Sequence, residues 1–324
     1  MAGPAAVLGV DVGGTKVALR AEVAVAGSLR AEEVAVGGSG VAEAGGRAGG
    51  RTLTWPGDGG ADADVAALAA AVAALRAESG LPIAAVGVAM PATPDPAGRV
   101  TVWPGRPSWA GLRLDETLRR LFPGSRTAWA DDGDLAALAE ARHVGAEDVV
   151  YLGVGTGVGG GVVLGGRPLP AAGLATPEIG HMVIDLDGPR CDCGRTGCLQ
   201  AIASGPATLR RARAARGAEV GFAELRDGLR QNVAWAREAV RPGVTALAAA
   251  VVSLGELVDP AVVVLGGGFA AGLPGLVGLV ERDVARLARP GRPAPAVRAA
   301  ALGGLSSLHG AVALARTLSG PVTS

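Results

Sequence analysis

Three cysteines packed into eight residues constrain this chain more than any other feature of it. Cys191, Cys193 and Cys198 are all the cysteines in 324 residues, and with His181 upstream they form H-x9-C-x-C-x4-C inside the stretch EIGHMVIDLDGPRCDCGRTGCLQ. Three thiolates and an imidazole are the ligand set of a closed tetrahedral zinc site, and a site with no open position is structural rather than catalytic. Cysteine also serves as a small buried hydrophobe. Confining all three to one short run is poor packing design and good chelation geometry, so the pattern predicts a structural zinc ion on His181, Cys191, Cys193 and Cys198.

Glycine turns at the ends of apolar runs are the second signal. Ala6–Val10 leads into Asp11 and then Gly13, Gly14, Thr15 and Lys16. Glycines in such a turn let backbone N–H groups approach an anion, and a carboxylate at the strand end can hold a magnesium ion through water. A Gly-Gly pair is also an ordinary hairpin turn. Asp148–Val154 reads as another strand, running into Gly155, Thr156 and Gly157, and Ala261–Leu265 as a third, ending in Gly266, Gly267 and Gly268. Two strand-turn motifs in different halves of the chain are more specific for phosphate than either alone, though neither is a P-loop or a dinucleotide fingerprint.

Thr127–Ala130 reads as a strand entering Asp131, Asp132, Gly133 and Asp134 ahead of a helix. A carboxylate at a strand-to-helix junction lies on the rim of an α/β crevice, where ligands bind, and Asp134 is also suited to cap the helix. Asp64 is expected to open a helix with Val65, Leu68, Val72 and Leu75 on one face and Gly80 at its end. Ile83–Met90 reads as a buried strand, residues 203–241 as mostly helical with a solvated charged face, Thr245–Leu257 as a further helix, and Leu305–Leu318 as the last. Trp103 and Trp109 either stack on a ring or pack internally. Residues 36–61 are a lid or an exposed loop, broken by a short strand at Arg51–Trp55.

The length favours two domains, and 49% hydrophobic content is ample for two cores. A formal charge of zero gives no electrostatic footprint for nucleic acid or an anionic membrane. The N-terminal MAGPAAVLGVDVGG lacks a signal peptide's basic region. The apolar run Val244–Gly255 is stopped by Glu256 and Asp259, short of a membrane span. With the cysteines assigned to metal, a cytoplasmic protein is expected.

Together these motifs resemble the ROK family of sugar kinases and sugar-responsive repressors, whose hallmark is GExGH followed by CxCGxxGCxE. Pro177 replaces the first glycine, Gln200 replaces the last glutamate, and the other positions match. The turns at 11–16 and 155–161 resemble the two phosphate motifs of the actin-like ATPase superfamily to which that family belongs, and 266–268 its adenosine motif. DDGD resembles the family's NDAN, and WPGRPSW its pNLpxW sugar loop, with Trp109 retained and Gly105 where a sugar-binding asparagine usually stands.

The resemblance covers nearly the whole chain and implies an α/β, two-domain actin-like (ribonuclease H-like) sugar kinase fold with an interdomain cleft. Residues 1–122 would form a smaller domain completed by a C-terminal helix, 306–324, and residues 123–305 a larger one carrying the zinc loop. It implies ATP and Mg2+ beside the structural Zn2+, and a homodimer. Asp132 would be the general base and Asp11 the magnesium-side carboxylate. Gly13, Gly14, Thr15, Lys16, Gly155, Thr156, Gly157, Gly266, Gly267 and Gly268 would bind the nucleotide, and Asp131, Glu178, His181 and Gln200 the acceptor.

The implied function is ATP-dependent phosphorylation of a hydroxyl on a sugar or sugar-like polyol. The departures at Gly105, Asp131, Asp134 and Gln200 fall in acceptor positions, whereas the ATP motifs are intact. Asp131 offers acceptors only, which suits a ligand presenting hydroxyls or an amine. A C7-cyclitol is the alternative acceptor to a hexose, ahead of an N-acetylhexosamine. Ten residues before Asp11 leave no room for a helix-turn-helix module, so a repressor is not expected, and the retained Asp132 argues against a non-catalytic binding protein.

Overall fold

The segment Ala6–Val12 carries apolar residues on both faces, as a strand covered on each side must, and it becomes the centre of a sheet. The computed structural model describes residues 4–23, 49–57, 60–103, 105–169 and 176–319. Of the expected lid, residues 36–48, 58 and 59 lie outside the described residues. The chain divides into two units, one built from the residues up to Ala139 and from Leu305 onward, the other from Glu140–Leu169 and Thr176–Gly304.

In the first unit β1 (Ala6–Val12) pairs antiparallel with β2 (Lys16–Val23), which pairs with β3 (Gly49–Thr54). After α1 (Gly60–Ser79), β4 (Ile83–Ala89) lies parallel to β1 on its other side. A small ribbon, β5 (Thr93–Pro94) with β6 (Val100–Val102), and α2 (Leu114–Leu121) lead to β7 (Arg126–Ala130) and α3 (Asp132–Val144). The sheet order is β3-β2-β1-β4-β7. Leu8, Val10, Leu19, Leu68, Leu75 and Phe122 are among the fully buried side chains of its core.

Two expected caps are corrected. Helix α1 begins at Gly60, and Asp64 is not its opening residue but a completely buried side chain one turn inside, held by Arg106 and Trp109. At α3 it is Asp131, not Asp134, that caps, its Oδ1 accepting from the Gly133 N–H at 2.9 Å. Asp134 is buried one turn in.

The second unit repeats the plan. Strands β8 (Val149–Val154) and β9 (Val158–Leu164) form a hairpin extended by β10 (Arg167–Leu169). Next come α4 (Leu199–Ala203), α5 (Gly205–Arg216), α6 (Phe222–Arg230) and α7 (Ala234–Val258). Strand β11 (Val262–Gly266), α8 (Gly268–Gly272), α9 (Leu276–Leu287) and β12 (Ala296–Ala299) follow, giving the order β10-β9-β8-β11-β12. The helix expected at Thr245–Leu257 is longer, since α7 runs unbroken through Pro242. Proline costs it one backbone hydrogen bond, but Ala239, Val240, Val244, Leu247, Val251 and Leu254 keep one apolar face buried across the break. Contrary to the sequence expectation, α7 is long and apolar enough to cross a membrane by length and composition; 56% of its most apolar window is buried, and α4, α5, α6 and α9 pack around it as the core helix of this unit.

The last helix, α10 (Ser306–Ser319), packs across β1, β4 and β7 of the first sheet. Close approach there needs glycine, because a Cβ on Gly87 would lie 2.1 Å from the Ala311 carbonyl oxygen.

Candidate active site

Strand register brings three acidic residues to one edge of the first sheet. Asp11 on β1 is level with Ala89 on β4, and Ala89 with Ala130 on β7, so Asp131 and Asp132 follow at the same carboxyl edge of three parallel strands. Open α/β sheets bind ligands at such an edge. Burial, and after it the charge of Asp132, pushes the Asp11 carboxyl up to about 6, with Lys16 pulling the other way.

Beyond Asp11 the chain turns through Gly13 and Gly14, closed by a bond from the Gly13 N–H to the Lys16 carbonyl at 2.9 Å. Thr15 and Lys16 are exposed at its tip. Trp55 holds the turn from beside β3, its indole N–H donating to the Gly13 carbonyl at 2.7 Å and its backbone N–H to the Thr15 carbonyl at 3.2 Å. Trp103 and Trp109 are both buried, in edge-to-face contact with centroids 4.8 Å apart, so they pack internally rather than offer an open stacking face.

The second unit brings its own glycines together. The Gly155 N–H donates to the Gly157 carbonyl at 2.9 Å, leaving Thr156 exposed at the tip. Gly266 pairs with Gly153, so Gly267 and Gly268 leave β11 at the same edge as the 155–157 turn. Gly267 has φ 86°, and a Cβ there would lie 2.5 Å from the Val154 nitrogen.

The cysteine loop gathers as its spacing predicts. Ligand atoms of His181, Cys191, Cys193 and Cys198 all lie within 4.8 Å of one another. His181 Nδ1 is 3.7 Å from Cys191 Sγ, and Cys193 Sγ is 3.6 Å from Cys198 Sγ. Ligands about 2.0–2.3 Å from a tetrahedral zinc are separated by roughly 3.3–3.8 Å, so the donors fit that ion. Burial pushes the Cys198 thiol up to about 12, while a backbone hydrogen bond at Arg195 draws Cys193 below its ordinary range. A metal that binds must displace the thiol protons. Glu178 is exposed ahead of the single turn Ile179–His181. Gln200 on α4 donates through Nε2 to Cys191 Sγ at 3.6 Å, and its Oε1 would lie 3.1 Å from a Cβ on Gly157. Cysteine loop and glycine turn thus meet through one amide.

One pair ties the WPGRPSW segment to a residue outside every motif. Arg106 makes a two-pronged ion pair with buried Asp64, and Trp109 donates to the same carboxylate at 2.8 Å. The signal for it lies in α1: Asp64 is in phase with Leu68, Val72 and Leu75, an acid on an apolar stripe that calls for a buried partner.

A family model described as the ROK family matches residues 60–318. The kanosamine kinase of Amycolatopsis mediterranei (strain S699) is 51% identical over 308 residues, 95% of each chain. Among solved structures, the ROK hexokinase of Thermus thermophilus superposes with a TM-score of 0.79 at 32% identity, over 96% of this chain and 98% of that one. A ROK family glucokinase from Streptomyces griseus, in complex with glucose and AMPPNP, gives 0.73 at 27% identity, over 96% and 99%. The two five-stranded mixed sheets are those of the actin-like fold. On the family match across most of its length and on these relatives, the chain belongs to the ROK family.

Proposed function

We propose that this ATP-dependent ROK sugar kinase has an aminosugar as its acceptor, transferring the γ-phosphoryl group of ATP to one of its hydroxyls. The observation that carries the acceptor is the end-to-end likeness to a kanosamine kinase, an aminosugar kinase. Asp131 supports it, since a carboxylate pairs with an ammonium group where an asparagine does not.

Phosphoryl transfer asks a protein for positioning, charge stabilisation and a base at the attacking oxygen. Asp132 takes the hydroxyl proton, and Asp11 would hold a magnesium ion through water, an ion that would supply neutralisation of phosphate charge. The turns at Gly13–Lys16 and Gly155–Gly157 cradle phosphates with N–H groups other than those of Gly13 and Gly155, which close the turns, and Gly266, Gly267 and Gly268 leave room for the nucleoside. Asp131, Glu178, His181 and Gln200 bind the acceptor. His181 would meet the metal through Nδ1 and has Nε2 to offer a hydroxyl. A zinc ion held by His181, Cys191, Cys193 and Cys198 would order the loop. The same reading includes a cytoplasmic homodimer, which light scattering checks.

The test is ATP turnover with magnesium on kanosamine, glucose, an N-acetylhexosamine and a C7-cyclitol. The expected result is a kcat/KM for kanosamine at least about tenfold above glucose. Equal or better turnover of glucose defeats the aminosugar reading and leaves a glucokinase; preference for the cyclitol replaces it with the carbocyclic one.

A further inference from the structure

Asp64 has no accessible surface, and Arg106 grips it with two donors, Nε at 2.9 Å on Oδ2 and a second guanidinium nitrogen on Oδ1. With Trp109 as a third donor, both carboxylate oxygens are bonded. The Arg106 guanidinium lies over the Trp55 ring, 5.4 Å from its centroid, and Trp55 meets Trp109 edge-on at 6.0 Å. Trp55 in turn bonds the phosphate-type turn twice, at Gly13 and Thr15. On the far side of Arg106 the loop is tied at Trp103 and Trp109 by backbone bonds of 3.0 Å each. One connected set of contacts thus runs from α1 through the 103–109 loop to the 13–16 turn.

Its effect shows at Gly105. A Cβ there would lie 2.8 Å from the Gly14 Cα and 3.3 Å from Trp103 Nε1, so loop and turn meet backbone to backbone. The buried Trp103 indole N–H has no hydrogen-bond partner among the described residues, a cost an optimally relaxed loop would avoid. Nor does stability explain the pair, since a buried ion pair is often no better than apolar residues of similar volume. What a bidentate guanidinium–carboxylate pair does supply is fixed orientation.

We infer that Asp64 and Arg106 are positioning residues, a buried clamp that seats the 103–109 loop on the Gly13–Gly14 turn and sets where that turn receives phosphate. This rests on the kinase reading. The clamp makes glycine obligatory at position 105 and acts on the nucleotide only through Trp55 and the turn.

The experiment compares the parent protein with Trp55→Phe, Asp64→Asn, Arg106→Lys and the double variant Asp64→Leu/Arg106→Leu, reading thermal midpoint, magnesium–ATP affinity and steady-state kinetics. The double variant is expected to melt within a few degrees of the parent, yet to bind nucleotide about tenfold more weakly. Trp55→Phe, which keeps the ring and loses the bond to Gly13, should weaken nucleotide binding about fivefold with folding intact. Arg106→Lys keeps the charge without the fork and should behave like the double variant. Parent-like nucleotide affinity in Trp55→Phe and in every folded clamp variant overturns the inference. If the parent itself neither binds nor turns over ATP, the kinase reading falls, a result distinct from an active parent with indifferent variants.

Discussion

In the first sheet Asp11 pairs with Ala18 across its hairpin and with Ala89 on the parallel strand; in the second, Gly153 holds the same place, paired with Gly159 and Gly266. The strand orders match, hairpin for hairpin and parallel strand for parallel strand. The bracing differs. The turn after β1 is gripped by Trp55 and, through it, the Asp64–Arg106 pair. The turn after β8 is gripped by the Gly205 N–H on the Gly155 carbonyl at 2.9 Å, and Gln200 of α4, bonded to Cys191, lies against it. A repeated backbone plan therefore does not bring repeated chemistry: one copy has a carboxylate at its turn, the other a glycine and a metal-type loop behind it.

The largest effect expected from this asymmetry is on turnover. Asp132→Asn should leave nucleotide and acceptor binding nearly intact and lower kcat by a factor of about 10² or more. Should Asp131→Asn lose activity while Asp132→Asn keeps it, the base has been assigned to the wrong aspartate, since both follow β7 at the same edge. Next comes the second hairpin's brace. Cys193→Ser should drop zinc below one ion per chain and lower the thermal midpoint by about 5 °C or more. A full zinc complement in that variant, by metal analysis, would show that Cys193 is not a ligand.

What the sequence makes legible follows the same divide. Cysteine spacing and glycine runs are local patterns, and the zinc-type loop, both turns and the strands leading to them can be read from them directly. Asp64 and Arg106 are 42 residues apart, and although Arg106 falls inside WPGRPSW, Asp64 belongs to no motif. Only α1's periodicity hints that an acid has been placed inside. Helix α7 was hidden for another reason: Pro242 reads as a break, and nothing local reveals that the buried face continues past it. Likewise the sequence suits Asp134 to cap its helix, and only the helix's start at Asp132 and the bond from the Gly133 N–H move the cap to Asp131.

The smallest expected effect is the most selective for the first hairpin, because it needs an acid at the Asp11 position and the second hairpin has none. Burial, with Asp132 beside it, lifts the Asp11 carboxyl from 3.8 to about 6. Between those values the folded chain holds a proton that the unfolded chain has released, so stability falls as pH rises through this window. Below pH of about 4 both states are protonated and Asp11 costs nothing; above about 6 the cost is complete, about 2 kcal/mol for a group that keeps some solvent contact. Asp11→Asn removes that penalty. The variant should melt about 4 °C above the parent at pH 7.5 and converge with it as the pH falls to 4, even though it loses the magnesium-side carboxylate and with it activity. Thermal melts of the two proteins across that range, without nucleotide, check the sign. A gap that stays constant with pH would mean that Asp11 titrates normally, and the two hairpins would then differ in shape but not in charge.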